Sequence, residues 1–321
     1  MSWQPSANWQ VAKQRAALFT KIRSFFAKRE VVEVDTPLLC QHTVTDLHLE
    51  PFASIFNHSD NGQVEMYLQT SPEYAMKRLL ASGYGDIFQI CKSFRNESHG
   101  RFHNPEFTML EWYRKGFNHS QLIAEVAALL EEMLGTDSHN VYTYQELFLM
   151  YTSIDPLNTD LEECKSFINA HGKYSDWLHE ERSLDTLLQF IFCEFIESSI
   201  DPSIPCFVEL FPASQASLAV INESDSRVAN RFECYYQGIE LANGFEELTN
   251  SEEQIKRFEQ DNQFRALNGL RQQIIDSAFI SALKSGLPHC SGVALGLDRL
   301  LMLATGSSHI DDVISFPVYK A

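Results

Sequence analysis

Phe94 to Tyr113 reads FRNESHGRFHNPEFTMLEWY, and this stretch decides the fold. Arg95 and Glu97 lie two apart at the end of an apolar run. A polar loop with His99, Arg101 and His103 follows, and a second apolar run carries Phe107, Glu111 and Tyr113. The pattern predicts a hairpin of two buried strands, over 87–113, around a basic loop. Stability alone asks for few charges on such strands, because a buried carboxylate is costly unless paired. Arg, Glu, an aromatic and a second Glu on adjacent strands make a floor able to hold a nucleotide and a cation.

Working outward, apolar positions Leu18, Ile22, Phe25 and Phe26 predict a helix over 9–29. Val31, Val32 and Val34 predict a strand that Pro37 ends. Residues 60–63 read as a turn before a strand at 64–69. Ser71-Pro72 opens a helix to about Ala81, with proline suited to the first turn. Ser120 is expected to cap a helix over 121–134 that Gly135 stops. Residues 136–205 are less regular and mostly helical, and read as an insertion within a single domain over 1–321. Strands are expected at 206–211, 231–237 and 239–243. Asn250 or Ser251 caps a helix ending near Gly269, and another spans 277–285 before Gly286. A strand at 290–296 then runs into a helix at 297–305. Hairpin-joined strands with helices between groups argue α+β with a mostly antiparallel sheet.

Composition bounds the function. The 321 residues suit one large domain or two ordinary ones, and no apolar run is long enough to span a bilayer. The N-terminus, MSWQPSANWQ, lacks secretory-signal features, so a cytoplasmic location and no membrane partner are expected. Seven cysteines stand at 40, 91, 164, 193, 206, 234 and 290 without a CxxC pair, which predicts buried free thiols. The net charge of −18, from 25 basic and 43 acidic groups, disfavours long-range attraction to nucleic acid. It leaves room for a nucleotide held by local arginines.

Several groups fit that chemistry. The Arg95 fork suits a phosphate and Glu97 an amine such as that of adenine, though on these two residues alone a surface ion pair at a strand end is the better explanation. Phe107 can stack on a base, but it is one of 23 phenylalanines. Asn104 can bond a ribose or a carboxylate, or simply turn the chain before Pro105. Glu111 and Tyr113 share a strand face, and either a substrate ammonium or an internal basic residue would pair the glutamate. In GIELANGFEEL, 238–248, Glu240 and Asn243 flank an expected bend before Glu246 and Glu247. Carboxylates in such a segment suit Mg²⁺, and an acidic solvated turn is the alternative. In SGVALGLDRLLML, 291–303, Gly292, Ala294 and Gly296 present one face of small residues, against which a flat ligand could lie. Arg299 follows on the first helical turn, where anions are favoured, and Asp298 is a candidate cap.

Together these segments resemble the three motifs of class II aminoacyl-tRNA synthetases. The helix and strand ending at Pro37 are similar to motif 1, the dimer-forming element. Phe94 to Tyr113 is similar to motif 2, and Gly292 to Arg299 to motif 3. TSPEYAMKRLL (70–80), the RNE and HNPEFTMLEWY runs and GIELANGFEEL further resemble the lysyl-tRNA synthetase catalytic domain. Two features depart from it. A motif 1 helix starting near residue 9 leaves no room for an N-terminal anticodon-binding barrel. Ala294 replaces the middle motif 3 glycine, and His42-Thr43-Val44-Thr45-Asp46 stands where a Gly-Gly-Ala segment would approach the lysine α-amino group. Both changes point to a lysine-like substrate of altered backbone.

With these departures the chain resembles a family of truncated lysyl-tRNA synthetase paralogues that attach (R)-β-lysine to elongation factor P. That resemblance implies ATP and Mg²⁺, elongation factor P as acceptor, no tRNA, and a homodimer through motif 1. It implies an ATP site of Arg95, Asn96, Glu97, Asn104, Phe107, Glu240, Leu241, Gly296 and Arg299. Arg95, Arg299 and Glu240 would be catalytic, with Glu240 and Glu247 on the metal. Ser71, Pro72, Glu73, Glu111, Tyr113, Glu247 and Ala294 would receive the substrate. A minimal enzyme charging tRNA or another small acceptor is the alternative. An inactive regulatory paralogue is a third reading, against which joint retention of Arg95, Glu97, Glu240 and Arg299 argues.

Overall fold

The computed structural model describes residues 3–321 apart from 59, 61 and 174. The turn expected over 60–63 includes Asn61, which lies outside the described residues. The chain divides into two compact units, Met1–Gly135 with Glu247–Ala321, and Thr136–Glu246.

In chain order the first unit begins with α1 (Trp9–Ala27), β1 (Val32–Glu33), β2 (Leu39–Cys40), β3 (Phe52–His58) and β4 (Gly62–Leu68). It continues with α2 (Glu73–Ala81), β5 (Ile87–Phe94), β6 (Glu106–Lys115) and α3 (His119–Leu134). The second unit holds β7 (Asn140–Thr143), α4 (Tyr144–Thr152), α5 (Leu161–Ala170), α6 (Asp176–Glu180), α7 (Leu184–Ile191), β8 (Cys206–Pro212), β9 (Val228–Tyr236) and β10 (Ile239–Glu246). The chain returns to the first unit for α8 (Ser251–Leu267), α9 (Ser277–Gly286), β11 (Cys290–Gly296) and α10 (Leu297–Thr305). The fold is α+β, with antiparallel pairing except where β1 joins β5 and β7 joins β8. No helix among the described residues is long and apolar enough to cross a membrane.

In the first unit the strands run β1-β5-β6-β11, beside a smaller sheet β2-β4-β3. Alternation gives the main sheet two different faces. Phe88, Leu110, Trp112, Val293 and Leu295 are buried on one of them. There Phe26 of α1 stacks on Phe88, centroids 4.4 Å apart, and meets Trp112 edge-on at 5.3 Å. The Trp112 indole N–H donates to Glu125 of α3 at 3.0 Å. The opposite face carries Phe107, Glu111, Tyr113, Gly292 and Ala294. Register places Ala294 opposite Glu111 and Gly292 opposite Tyr113.

The second unit orders its strands β10-β9-β8-β7. Its helices close over Tyr144, whose ring stacks parallel to Phe192 at 5.4 Å. A capping box between Thr143 and Glu146 starts α4. The β9–β10 hairpin turns at Gln237 and Gly238, both at positive φ, as a two-residue hairpin of matching twist requires.

Several expectations need correction. Helix α1 ends at Ala27 instead of 29, as Glu30 adopts a left-handed backbone. Helix α3 is capped by Asn118, not Ser120: the Asn118 side chain accepts from the Gln121 N–H, and Gln121 returns the bond. Strand β10 continues to Glu246 instead of ending at 243, and in place of the expected bend between Glu240 and Asn243 the strand carries a bulge between Glu240 and Ala242. Of the thiols, Cys193 is exposed and Cys40 and Cys91 are half-buried, while the other four are buried.

Asp298 is not a cap. Gly296 holds the cap position of α10 without a side-chain bond. The buried Asp298 carboxylate instead pairs with Arg15 of α1 and accepts from the Thr108 N–H of β6 at 2.6 Å. Arg15 also donates to the Val313 carbonyl at 3.0 Å, so this pair ties α1, β6, α10 and the C-terminal segment together. Asp298→Ala strands the guanidinium and a buried N–H, and should cost about 3 kcal/mol of unfolding free energy. Urea unfolding of wild type and variant measures it; an effect within about 0.5 kcal/mol would remove the pair from the core of the fold.

Candidate active site

The polar face of β6 and β11 is the floor of a buried charged site. Beside it, α2 starts just after Pro72, with the Ser71 hydroxyl accepting from the Glu73 N–H at 3.0 Å. One helical turn separates Glu73 from Lys77, so both point the same way. The Lys77 ammonium is buried and contacts Glu73 Oε1 at 2.6 Å and Glu247 Oε2 at 2.5 Å. Burial opposes its charge, but Glu247 and Glu73 outweigh that and hold its pKa above the ordinary lysine value. Burial pushes the Glu247 carboxyl up while Lys77 pulls it down. Contact at 2.5 Å makes the ionised pair the relevant state.

Glu111 faces the same site. The Tyr113 hydroxyl donates to its Oε1 at 2.7 Å. Its Oε2 is buried with no hydrogen-bond partner among the described residues. Burial, reinforced by the Glu73 carboxylate, pushes Glu111 up to about 8 against the opposing Tyr113 bond and Lys77 charge. Gln89 stands opposite Glu111 on β5. Its Oε1 accepts from Thr36 at 2.9 Å, while its Nε2 is also buried without a partner. Glu73 and Glu247 share one lysine here with Glu111 beside them, and one buried acceptor and one buried donor have no hydrogen-bond partner among the described residues.

The small-residue face serves this site differently from the expectation. A Cβ on Gly292 would strike the Tyr113 ring and lie 2.5 Å from Glu247 Oε1. Gly292 is small so that these two side chains can lie on it, leaving no room there for a flat ligand. A Cβ at Gly296 would make only ordinary contacts with Arg299.

At the far end of the face, Phe107 is half-buried, and the Arg95 guanidinium lies 5.2 Å from its ring centre. Arg299 donates from Nε to the Phe102 carbonyl at 3.2 Å and contacts His103 Nε2 at 2.8 Å. The loop 95–105 and the start of α10 are thereby joined. Asn96 and Glu97 are exposed on that loop. Four residues along β6 separate Phe107 from Glu111, which puts the two ends about 13 Å apart.

Some expected ligands are otherwise engaged. Asn104 donates to the Glu106 carbonyl at 2.6 Å and accepts from Val318 N–H at 3.0 Å, so its amide ties the loop to the C-terminal segment. Glu247, expected also on the metal, pairs through Oε2 with the Lys77 ammonium. Glu240 and Leu241 lie on β10 in the second unit, Glu240 half-buried and Leu241 buried. Burial raises the neighbouring Glu233 carboxyl, Arg231 opposes this, and Glu240 adds to it. Both Glu233 oxygens are engaged, one by Arg231 and one by the Tyr235 hydroxyl, so of the two carboxylates Glu240 is the hard oxygen donor of the type Mg²⁺ takes. The segment 42–46 is tied to α8, through Thr45 to Asp261 at 2.6 Å and Arg265 to the Asp46 carbonyl at 2.8 Å.

Sequence reasoning missed Lys77, Gln89 and Glu233. The Glu73–Lys77 spacing was a readable signal. The pairing of Lys77 with Glu247, 170 residues on, left none.

The chain matches the family described as tRNA synthetases class II (D, K and N) over residues 2–320. It is 53% identical over 321 residues to the elongation factor P–(R)-beta-lysine ligase of Yersinia enterocolitica, covering 100% of this chain and 98% of the relative. It is 51% identical over 317 residues to the protein of the same description from Photobacterium profundum, covering 98% of each. A hairpin floor, a small-residue strand entering a helix, and a family match along nearly every residue agree: this chain belongs to the class II tRNA synthetases.

Proposed function

We propose that this protein is an ATP-dependent ligase that activates (R)-β-lysine as an acyl-adenylate and transfers it to a lysine side chain of elongation factor P. The observation that carries this reading is the buried site in which Glu73 and Glu247 share the ammonium of Lys77 while the Glu111 carboxyl is buried beside them. Such an acidic surplus suits a substrate bearing more than one cationic amine. Relatives matched over 98% of their length and described as elongation factor P–(R)-beta-lysine ligases support the identity of substrate and acceptor.

In the first step a substrate carboxylate oxygen attacks the α-phosphorus of ATP and pyrophosphate leaves. In the second the acceptor ε-amine attacks the acyl carbon, AMP leaves, and the amine gives up a proton as the amide forms. The carboxylate is already ionised at neutral pH, so the first step needs placement and charge stabilisation more than a base. Arg95 would face the α-phosphate, with Phe107 and Glu97 on the adenine and Arg299 on the terminal phosphate. Asn96 and Gly296 would border the nucleotide. Glu111 and Tyr113 would receive the distal ammonium and Glu73 the proximal amine, with Ser71, Pro72 and Ala294 shaping the space between. When bound, Mg²⁺ would neutralise phosphate charge, and Glu240 is the residue to hold it, beside Leu241. A cytoplasmic location and a homodimer through α1 and β1 belong to the same proposal. The sheet-edge position of β1, with Val32 61% exposed, supports the dimer.

Incubation with ATP, (R)-β-lysine and elongation factor P should add one lysyl mass to the acceptor, read by intact-protein mass spectrometry. Charging of tRNA with no change in elongation factor P would sink the reading. Ala294→Gly removes the methyl beside Glu111 and should shift relative use toward ordinary α-lysine by about tenfold. An unchanged ratio removes Ala294 from substrate selection.

A pH dependence follows from Glu111. Its raised pKa leaves it mostly protonated near neutrality, and an arriving ammonium would lower that pKa. Binding therefore releases a proton, and affinity should rise with pH up to about 8, by at most about tenfold per pH unit. Calorimetry in two buffers of different ionisation enthalpy measures the proton. Glu111→Gln should abolish its release; equal release from the variant assigns the proton elsewhere.

A further inference from the structure

A second cluster of ligating groups lies away from the acidic site, where the loop 95–105 meets the C-terminal segment. His99 Nε2 lies 2.9 Å from Asp311 Oδ1. His309 Nδ1 lies 3.3 Å from Asp311 Oδ2. The two imidazole rings are 5.6 Å apart, and one ligand atom from each of the three residues falls within 4.8 Å of the others. We propose that His99, His309 and Asp311 form a binding site for a borderline divalent cation such as Zn²⁺ or Co²⁺, joining the loop to the C-terminal segment.

The chemistry of the donors selects the ion. Two imidazole nitrogens and a carboxylate suit Zn²⁺, Co²⁺ or Ni²⁺, whereas Mg²⁺ and Ca²⁺ take oxygen ligands. Tetrahedral zinc with bonds near 2.0 Å needs donors about 3.3 Å apart. His99 approaches Asp311 Oδ1 and His309 approaches Oδ2, and with one donor atom from each residue inside 4.8 Å the ion requires the side chains to close by up to about 1.5 Å. Each partner is also held in place. The Asp311 backbone N–H donates to His309 Nδ1 at 3.3 Å, which marks that nitrogen as the unprotonated one, and an ion would take its lone pair in place of this long hydrogen bond. The Tyr319 hydroxyl donates to Asp311 Oδ2 at 2.6 Å and orients the carboxylate.

The backbone supplies the remaining order. Arg101 donates to the Ser308 carbonyl at 2.9 Å, and the Ile310 N–H donates to the Arg101 carbonyl at 2.9 Å. His99 and Asp311, 212 residues apart, are thus brought together before any ion binds, which lowers the entropic cost of closing the site. The side chains remain 28%, 37% and 16% exposed for His99, His309 and Asp311, so an ion has a path from solvent. Three protein ligands leave a coordination position for water. None of these groups takes part in the proposed ligase reaction, so the site stands independently of that reading.

The test is Zn²⁺ binding by equilibrium dialysis, on tag-free full-length protein stripped with chelator, with Co²⁺ visible absorption as a second readout. Wild type should saturate at one equivalent, with Co²⁺ bands characteristic of four- or five-coordination. His99→Gln and His309→Gln should each weaken binding by more than about tenfold. His139→Gln, a change at an exposed histidine elsewhere, should leave it unaltered. Binding unchanged in both cluster variants, or loss of the bound ion to excess Mg²⁺, would overturn the proposal.

Discussion

The rest of the first unit depends on how one buried ammonium is compensated. Lys77 is only 1% exposed, and an unpaired charge at that depth would cost several kcal/mol. Glu73 sits one turn earlier on the same helix, and Glu247 sits where the chain re-enters the unit. The three charges therefore lock α2 to a segment far away in sequence. Because two carboxylates meet one lysine, compensation overshoots. The surplus falls on Glu111, which burial keeps mostly neutral until a cation arrives. An ion pair that holds the fold also sets the charge of the site.

The sheet makes this arrangement possible by separating its duties. Trp112 and Leu110 commit one face of β6 to the helices α1 and α3. Glu111 and Tyr113, alternating with them, are released to the other face. Gly292 completes the division, since any larger residue opposite Tyr113 would displace the ring and Glu247 together. The anchor for α10 is likewise electrostatic. Asp298 reaches back to Arg15 and the Thr108 backbone, which fixes where Arg299, one residue on, begins its path to the loop.

The hairpin, the final strand and helix, and the α+β class were legible because alternation, glycine and proline signals act over a few residues. The boundaries of β11 and α10 follow the predicted ones for that reason. Misreadings came where two local signals competed. Asn118 won the cap from Ser120 because only it has Gln121 at the reciprocating position. The strand β10 absorbed a bulge that sequence alone reads as a turn. In the site, Glu111 and Tyr113 were legible from their shared face. The internal partner of Glu73 and Glu247 was half legible, as a helical spacing, and half hidden in a tertiary contact. Asn104 shows the opposite failure, a polar residue in a promising loop whose amide is used by the backbone.

Net charge and local charge point in different directions, and their contrast bears on how a substrate would lie. The chain carries −18 overall, yet the hairpin loop gathers Arg95 and Arg101 and is met there by Arg299. The opposite end of the same face is acidic. A field running along about 13 Å of β6, from the carboxylates to the arginines, orients any molecule that bears amines at one end and a carboxylate at the other. In the proposed reaction the amines would descend toward Glu111 and Glu73, and the carboxylate would be left facing the arginines, where an anionic triphosphate would also be held. Two anions brought together there repel, and arginine charge must offset that repulsion before their oxygen and phosphorus can meet. On the proposed function, selection of the amine and reactivity of the carboxylate would thus be two ends of one gradient along a single strand.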